Sequence, residues 1–477
     1  MKNLDDFLEK KYKIFFIITS VLTSIFYLLL AGGQYVWGDE AYTFAMIKHS
    51  YREIWRITAA DVHPPLYYYY LKSLTKPFHY SMLSAKIATI FPYSFIIIWG
   101  GLQIKKLFSA RTSLLFMIFF FFFPFALPYS VEIRMYSLAA AFVFACAIFA
   151  YRVVLDYKLS NWIGFIVFGA AAAYTHYFAL VSVGIIYAII LFQVIIKKES
   201  QHIRHWFLFS AFTILIYAPW LNCFFAQLEY KINNEYWIKP ITLRSIIHYW
   251  KDLFGACGIS EYPFYFSLCF FILILYLIIK RKEYKKELIL GIYCLLVPLG
   301  TLFIGVAASI IIRPVFIGRY LLPSVPLMAL FLAISLGKIK NESIISAILV
   351  VVIMGGISNY NITLYGEYNV NNYLPIEEYS DIDAYIVMAK GQVAVTLAYY
   401  VTEEPIYNWQ TLSAATPALN RVSIDEFSSE KVNRAILLLD VGDMPQNQFT
   451  KEYNYEYLGE WICEESVDAF LLQKKQE

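Results

Sequence analysis

Long apolar runs separated by short polar loops recur along the first 360 residues of the chain. Most of these runs approach the roughly 20 residues that a helix needs to cross the hydrocarbon core of a bilayer. The pattern therefore predicts a multi-span α-helical membrane protein with about eleven spans. The predicted spans cover residues 12–33, 82–104, 112–128, 134–151, 161–176, 178–196, 206–222, 263–280, 287–311, 320–336 and 343–360.

Basic residues in the short loops indicate the orientation of these spans. Lys and Arg cluster in alternate loops, and cytoplasmic loops of membrane proteins carry an excess of these residues. All clusters fall on one side if the amino terminus lies in the cytoplasm, and this places the carboxyl terminus outside. We expect a multi-pass protein of the plasma membrane whose first run is a retained anchor. The clusters lie at residues 10–13, 105–111, 152–158, 197–204, 280–286 and 338–340.

The loops on the opposite, outer side contain amphipathic stretches. Apolar residues recur at helical spacing from Phe44 to Thr58, with Lys48 and Arg52 on the opposite face. A second stripe of the same kind runs through residues 243–253. Such stripes beside membrane spans are typical of helices that lie in the plane of the interface. Residues 65–78 are a third candidate for an interfacial helix.

The composition of the chain changes beyond about residue 361, where polar residues and tyrosines replace the long apolar runs. Short strand-like pieces occur at residues 384–389, 392–400 and 435–440. These pieces predict a small α/β domain on the outer face. The chain is therefore divided into a transmembrane domain, residues 1–360, and an extracytoplasmic domain, residues 361–477.

Composition supports a membrane protein and argues against some function classes. Of the 477 residues, 59% are hydrophobic, 19% aromatic and 16% charged, as expected for a chain that crosses the bilayer many times. The net charge of +3, with no basic tail, gives no reason to expect a nucleic-acid partner. The six cysteines form no CxxC pair, and we interpret them as buried small hydrophobic residues rather than disulfides or metal ligands.

Two polar segments on the outer side stand beside this apolar sequence. WGDEAYTFA (37–45) follows the first span directly, and DVHPPLYYYY (61–70) comes later in the same loop. A carboxylate at the membrane exit is costly against lipid and tolerable beside a water-filled cavity, so such residues are candidates for a functional site. With the other outer loops, the candidates are Asp39, Glu40, Asp61, His63, Glu132, Arg134, Tyr136, His176, Arg313, Arg319 and Tyr320.

An outer-face cavity with this balance of acids and arginines suits a membrane-embedded substrate with a phosphate head. Arg is a planar, permanently charged donor that matches phosphate oxygens. A phosphate that leaves a sugar carbon departs as a stable anion, so the protein needs mainly a base for the incoming hydroxyl and cations for the departing charge. Asp39 and Glu40 are both candidates for the base, because each is a carboxylate at the membrane exit. Arg319, with Arg313 or Arg134 as helpers, is expected to contact the phosphate.

Seven of the eleven candidates also have a structural alternative. Acids favour helix amino termini, histidines pack among aromatic residues, and arginines extend along apolar surfaces towards the interface. The alternatives are capping for Asp39 and Glu40, loop orientation for His63, an ion pair for Glu132 with Arg134, packing for His176 and an interfacial position for Arg313.

The outer-face motifs resemble those of the multi-span GT-C glycosyltransferases. They are most similar to bacterial family-39-like proteins, which are related to protein O-mannosyltransferases and to the lipid A aminoarabinose transferase. The resemblance covers roughly residues 10–340, and the acid pair with HPPL is its most specific part. The motifs that carry the resemblance read WGDEAYTFA, DVHPPLYY, EIRMYSL, YTHYF and RPVFIGRYLLPSVP. The carboxyl-terminal domain matches no sugar-binding module.

The resemblance assigns roles to particular residues. The family's catalytic aspartate falls on Asp39 and its neighbouring acid on Glu40. Its HPP signature falls on residues 63–65, and its lipid-phosphate contacts fall on Arg319 and Tyr320. The resemblance implies transfer of a sugar from a polyprenyl-phosphate-linked donor to a hydroxyl of a glycan, lipid or protein acceptor, at the outer membrane face and usually with inversion.

Other functions stay open at this level. No cofactor is predicted with certainty, and a divalent cation remains an alternative. A transporter or flippase of lipid-linked sugars would have charged residues in mid-span and discontinuous helices, whereas these spans are nearly free of charge. A non-catalytic scaffold for envelope assembly, with the outer domain as its binding module, is the other alternative.

Overall fold

A computed structural model of the protein describes residues 2–32, 36–198, 200–233, 238–255, 261–365, 376–379, 381–389, 393–401, 404–408, 421–463 and 465–475. Cys257 lies outside these ranges. The chain divides into two compact units. The helical unit comprises Met1–Gly32 and Val62–Thr363, and the sheet unit comprises Gly33–Asp61 and Leu364–Glu477. The loop that carries the acid pair thus groups with the carboxyl-terminal part of the chain.

Helices dominate the described residues. Short 3-10 helices occur at Lys76–Phe78, Pro128–Ser130, Gly318–Ser324, Ile376–Glu378 and Ile424–Glu426. The α-helices are α1 (Lys2–Ala31), α2 (Gly38–Lys48), α3 (Tyr51–Ala60), α4 (Leu66–Thr75), α5 (Met82–Leu107), α6 (Ala110–Phe121), α7 (Tyr136–Asp156), α8 (Leu159–Ala173), α9 (Tyr177–Ile196), α10 (Ser200–Asn233), α11 (Leu243–Phe254), α12 (Tyr262–Ile279), α13 (Lys285–Ile311), α14 (Val325–Gly337), α15 (Glu342–Tyr365), α16 (Val393–Tyr400) and α17 (Asn447–Thr450).

The multi-span helical fold predicted from the sequence is confirmed. Nine stretches of the described chain are long and apolar enough to cross a membrane. Two shorter apolar helices, α6 and α8, coincide with the two remaining predicted spans. The run predicted at residues 112–128 is cut short because α6 ends at Phe121, just before Pro124, and proline cannot continue a helix.

Helix α14 lies at the centre of the helical unit. Every one of its residues is buried, and it packs against α6 and α13. Phe331 of α14 stacks on Phe270 of α12 with ring centroids 5.4 Å apart. Because interiors pack at crystal-like density, α14 is held firmly, and so is the 3-10 segment Gly318–Ser324 that leads into it.

The amphipathic stripe in the first outer loop forms two helices rather than one. α2 ends at Lys48 and α3 begins at Tyr51, with Ser50 as its N-cap. The Ser50 side chain accepts a hydrogen bond from the Glu53 amide at 3.3 Å, and the Glu53 carboxylate accepts one from the Ser50 amide at 2.8 Å. This reciprocal capping box ends the single helical run that the spacing suggested. Helices at the other two predicted positions, α4 and α11, are confirmed.

The sheet unit contains a six-stranded sheet among its described residues, and the predicted α/β class is confirmed. The strand order is β3-β2-β1-β4-β6-β5. The first four strands are parallel, whereas β6 runs antiparallel to both β4 and β5. The strands are β1 (Ala384–Val387), β2 (Ile406–Asn408), β3 (Arg421–Ser423), β4 (Arg434–Asp440), β5 (Tyr453–Cys463) and β6 (Glu465–Lys474).

One of the three predicted strand-like pieces is wrong. Residues 384–387 and 434–440 are strands, but Val393–Tyr400 is helix α16. This stretch connects β1 to the parallel strand β2. Parallel neighbours cannot be joined by a tight turn and need a crossover connection, which is usually a helix.

Candidate functional site

The candidate residues are divided between the two units. Asp39, Glu40 and Asp61 belong to the sheet unit, and the other eight candidates belong to the helical unit. The cavity that both groups were expected to share stays a prediction, and the geometry of each group is described separately.

In the helical unit, the turn before α4 meets the turn before α9. The Leu66 amide donates a hydrogen bond to the Tyr174 carbonyl at 3.1 Å. The rings of His63 and His176 stack with centroids 5.7 Å apart. A guanidinium nitrogen of Arg134 lies 3.5 Å from His63 Nε2, and Arg134 is buried. The HPP loop thus meets the EIRMYS and YTHYF motifs within the helical unit.

His176 has a structural role and also contacts other candidate residues. It is the N-cap of α9, and its Nδ1 accepts a hydrogen bond from the Phe178 amide at 3.2 Å. Because Nδ1 accepts this hydrogen bond, the ring carries its proton on Nε2. The ring centroid is 5.0 Å from that of Tyr320 and 5.7 Å from that of Tyr136. His176 therefore both caps α9 and contacts three other candidate residues, His63, Tyr136 and Tyr320.

Arg319 lies against the same aromatic group. Its guanidinium carbon is 5.9 Å from the centroid of the Tyr136 ring. The neighbouring Tyr320 stacks on Phe178 with centroids 5.1 Å apart. His63, Arg134, Tyr136, His176, Arg319 and Tyr320 thus form one continuous set of contacts, which we call the arginine–aromatic cluster.

Helix α11 supports the backbone just before Arg319. The Tyr249 hydroxyl donates a hydrogen bond to the Phe316 carbonyl at 2.9 Å. A Cβ atom at Gly318 would lie 2.8 Å from an Asp252 carboxylate oxygen. Glycine at this position therefore permits the close approach of α11 to the segment that carries Arg319. Burial raises the pKa of Asp252, and His248 opposes this shift.

Glu132 shares the EIRMYSL motif with Arg134, and Arg313 shares the RPVFIGRY motif with Arg319. Glu132 is two residues before Arg134, whose amide donates to the Glu132 carbonyl at 2.7 Å. Arg313 follows the end of α13, and its amide donates to the Ala308 carbonyl at 3.3 Å. The roles proposed for the Glu132 and Arg313 side chains stay predictions.

Lys86 is a buried cation that was not included among the sequence candidates. It lies one turn into α5, only 2% exposed, and its Nζ donates a hydrogen bond to the Val131 carbonyl at 2.8 Å. That carbonyl adjoins Glu132. A lysine inside a span is costly and is a functional-site hypothesis by default, so its place in the predicted span 82–104 was a usable signal.

In the sheet unit, the acid pair lies in the first turn of α2. Trp37 is the N-cap and makes no side-chain capping hydrogen bond, so neither acid is the capping residue. Carboxylates in the first turn are still favoured by the helix dipole. Glu40 is 1% exposed, whereas Asp39 is half-buried. The carboxylate of Asp61 accepts a hydrogen bond from the Tyr42 hydroxyl at 3.0 Å. The two neighbouring acids therefore have different environments.

The described residues contain no group of three or more His, Cys, Asp or Glu side chains that could hold a metal ion. The chemistry that the arginine–aromatic cluster can supply is binding of an anion. Arg134 is buried and Arg319 is half-buried, and guanidinium groups form charge-assisted hydrogen bonds with anions.

Comparisons with known proteins add to this geometry. No family model and no curated protein matches the chain. The solved structures that share its fold include two of ArnT from Cupriavidus metallidurans. The apo structure superposes with a TM-score of 0.62 at 11% identity, covering 95% of this chain and 97% of ArnT. The structure bound to undecaprenyl phosphate gives a TM-score of 0.58 at 12% identity, with the same coverage.

These likenesses confirm the predicted resemblance at the level of fold. ArnT is the lipid A aminoarabinose transferase, a GT-C enzyme, and this chain has its fold along nearly its whole length. At 11–12% identity, the likeness does not extend to particular substrates or residues.

Proposed function

We propose that the protein is a membrane glycosyltransferase that moves a sugar from a polyprenyl-phosphate-linked donor to a hydroxyl acceptor. The observation that carries the proposal is the fold shared over 95% of this chain with ArnT bound to undecaprenyl phosphate. Polyprenyl phosphate is the part of such a donor that remains once the sugar has been transferred.

The arginine–aromatic cluster supports a phosphate-binding role. Arg134 is buried, and Arg319 lies over the ring of Tyr136. A guanidinium group is planar and matches the oxygens of a phosphate with two parallel hydrogen bonds. During transfer the phosphate gains negative charge as it leaves the sugar, and preorganised cations stabilise that charge. Tyr136, Tyr320 and His176 provide ring faces and edges against which a sugar can pack.

Asp39 is proposed as the general base that removes the proton of the acceptor hydroxyl. It lies at the exit of the first span and is the more exposed of the two acids. A carboxylate that takes the proton as the new bond forms contributes roughly 10²–10⁴-fold to the rate. Attack from the side opposite the phosphate inverts the configuration at the sugar carbon.

The proposed location is the outer face of the plasma membrane. The asymmetry of the basic loops supports an amino terminus in the cytoplasm and a carboxyl-terminal domain outside. The acceptor is then a hydroxyl of a glycan, lipid or protein of the cell envelope.

The experiment that tests the proposal is a transfer assay with the purified full-length protein in lipid nanodiscs. A panel of polyprenyl-phosphate-linked hexoses and pentoses is supplied with envelope extract, and mass spectrometry follows free polyprenyl phosphate and new glycans. Release of polyprenyl phosphate together with a glycosylated product, both abolished in Asp39→Asn, is the expected result. A wild-type protein that translocates these lipids in sealed vesicles without cleaving them would instead identify a flippase.

A further inference from the structure

The helix that carries the acid pair packs against the first helix of the carboxyl-terminal sheet. Within the sheet unit, α2 meets α16, the crossover between β1 and β2. The sequence gives no hint of this pairing, because the two helices come from opposite ends of the chain. The carboxyl-terminal sheet domain, to which the sequence assigned no role, thus supports the helix that carries the two acids.

Two tyrosines at the end of α16 make the contacts. The Val36 amide, just before α2, donates a hydrogen bond to the Tyr400 hydroxyl at 2.8 Å. The same hydroxyl lies 3.5 Å from the Val36 carbonyl. In the middle of α2, the Phe44 ring lies 4.9 Å from the ring of Tyr399, centroid to centroid. The contacts therefore hold α2 on both sides of its first turn.

The two acids differ in how they face α16. Glu40 and Phe44 are four residues apart, so they lie on the same face of α2, and Tyr399 meets that face. Burial, with a smaller contribution from the charge of Glu40, raises the pKa of Tyr399 to about 12. Asp39 is turned by about 100° around the helix and keeps part of its exposure.

The other side of α16 is anchored in the sheet. Val393, Ala394, Leu397 and Ala398 are buried in one cluster with residues of the strands, among them Ile436 of β4. These positions form one face of α16; Tyr399 lies on the opposite face, and Tyr400 is turned from Tyr399 by about 100° around the helix. Because a close-packed core deforms little, a helix held by these tyrosines is held by the whole sheet.

We infer that the carboxyl-terminal sheet is the support that positions the acid-bearing helix, with Phe44, Tyr399 and Tyr400 as positioning residues and Glu40 on the supported face. Asp39 is then the acid left to meet the substrate. For the role of Asp39 this inference rests on the proposed function. The position of the base matters because a displacement of about 1 Å can lower the reaction rate about 10²-fold.

The first measurement is independent of any activity. Amide hydrogen exchange is followed in the full-length protein in nanodiscs, for wild type, Tyr400→Phe, Tyr399→Ala and Tyr399→Phe. Tyr400→Phe removes the acceptor of the Val36 amide, and we expect exchange across α2 to rise about fivefold, the factor for one lost hydrogen bond. Tyr399→Ala should raise it as well, whereas Tyr399→Phe keeps the ring contact and should restore wild-type exchange.

The matched control is Tyr455→Phe. Tyr455 is an exposed tyrosine of β5 in the same unit, so this change should leave exchange in α2 unaltered. Unaltered exchange in Tyr400→Phe and Tyr399→Ala, or an equal rise in Tyr455→Phe, would overturn the inference. Exchange in β4 reports in every variant whether the sheet itself is still folded.

The second measurement is transfer kinetics in the same variants. Tyr400→Phe and Tyr399→Ala should lower kcat at least fivefold at unchanged donor KM, and Tyr399→Phe should restore kcat. Raised exchange in α2 with unchanged kcat would overturn the positioning role. A wild-type protein without transfer activity would contradict the proposed function but not the support of α2, which the exchange data alone would then decide.

Discussion

The guanidinium carbon of Arg319 lies 5.9 Å from the centroid of the Tyr136 ring. Tyr136 is the first residue of α7, and Arg319 belongs to the 3-10 segment that leads into the buried helix α14. A guanidinium over an aromatic face is attracted by the ring quadrupole and still directs its N–H groups outward in its own plane. In the proposed function, this contact orients Arg319 towards the donor phosphate.

Arg319→Lys tests this orientation. The ammonium keeps the charge but loses both the planar stacking and the bidentate fork. We expect the apparent donor affinity to fall roughly 2- to 30-fold, which corresponds to a cation–π contact of about 0.5–2 kcal/mol. Donor KM in the transfer assay and direct binding of polyprenyl phosphate measure the effect.

Arg52→Lys is the matched control, since Arg52 is exposed on α3 and is not a member of the cluster. It should leave donor affinity unchanged. Equal affinities in wild type, Arg319→Lys and Arg52→Lys would remove Arg319 from the binding site.

The fold was predictable where the physical signal is local. Apolar runs report the bilayer directly, so all eleven predicted spans correspond to helices, nine of them long enough to cross. The errors lie where local and tertiary signals compete. The stripe from Phe44 to Thr58 has the period of one helix, but the Ser50 capping box divides it. Val393–Tyr400 has strand-forming residues, but its place between two parallel strands requires a helix.

The candidate site was predictable in membership more than in arrangement. The motifs pointed to His63, Arg134, His176 and Arg319, which the fold brings into one cluster. Their contacts depend on how the turns before α4 and α9 meet, and no local pattern encodes this. The burial of Lys86 likewise follows from the packing of α5 beside the Val131 carbonyl.

Asp39→Asn and Glu40→Gln separate the two acids. Asn keeps the shape of Asp39 but cannot accept a proton, so transfer should slow roughly 10²- to 10⁴-fold while donor binding persists. Glu40 is buried on the face of α2 that meets Tyr399. Glu40→Gln keeps that packing, and we expect a loss of less than about tenfold, about 1.4 kcal/mol in the barrier. Single-turnover transfer with bound donor measures both.

A near wild-type rate in Asp39→Asn with a large loss in Glu40→Gln would transfer the role of base to Glu40. High activity in both variants would show that the base lies elsewhere. Membrane insertion and donor binding of each variant serve as controls for folding.

Two substitutions separate the capping role of His176 from its proposed role in donor binding. His176→Asn keeps a good N-cap for α9, because Asn is among the favoured capping residues. It removes the ring that contacts His63, Tyr136 and Tyr320. We expect a smaller loss of thermal stability than in His176→Ala, since only the packing of the ring is lost, and weaker donor binding. His176→Ala should also lose about 1 kcal/mol of stability through the lost cap.

Both His176 variants are compared with wild type by thermal unfolding in detergent and by donor binding. If His176→Asn bound donor as well as wild type, His176 would be a capping and packing residue alone.

Gly305 of α13 provides a test of the packing that holds the Arg319 segment. A Cβ atom there would lie 2.8 Å from Cε2 of Phe316, an aromatic ring that also packs against Phe178 at 5.1 Å. Gly305→Ala should therefore displace Phe316 and lower stability by about 1–3 kcal/mol, as overpacking in a core does. Donor affinity should fall with it, since Phe316 precedes Arg319 in the same segment.

Gly184 of α9 is the matched control for Gly305. Among the described residues, no heavy atom lies within 4 Å of a Cβ atom built there. Gly184→Ala should keep donor affinity and gain up to about 1 kcal/mol from helix propensity. Equal stabilities of the two variants would contradict the close contact between α13 and Phe316.

The orientation of the protein follows from its basic loops and can be tested by labelling single cysteines. Glu430→Cys, in the sheet unit, and Lys338→Cys, after α14, are both exposed positions. Each substitution is introduced separately into a variant in which the six native cysteines are replaced by alanine. Cytoplasmic loops retain the Lys and Arg excess because these residues resist translocation. We therefore expect a membrane-impermeant maleimide to label Glu430→Cys in intact cells and Lys338→Cys only after the membrane is opened. The reverse pattern would place the sheet unit in the cytoplasm and would contradict transfer at the outer face.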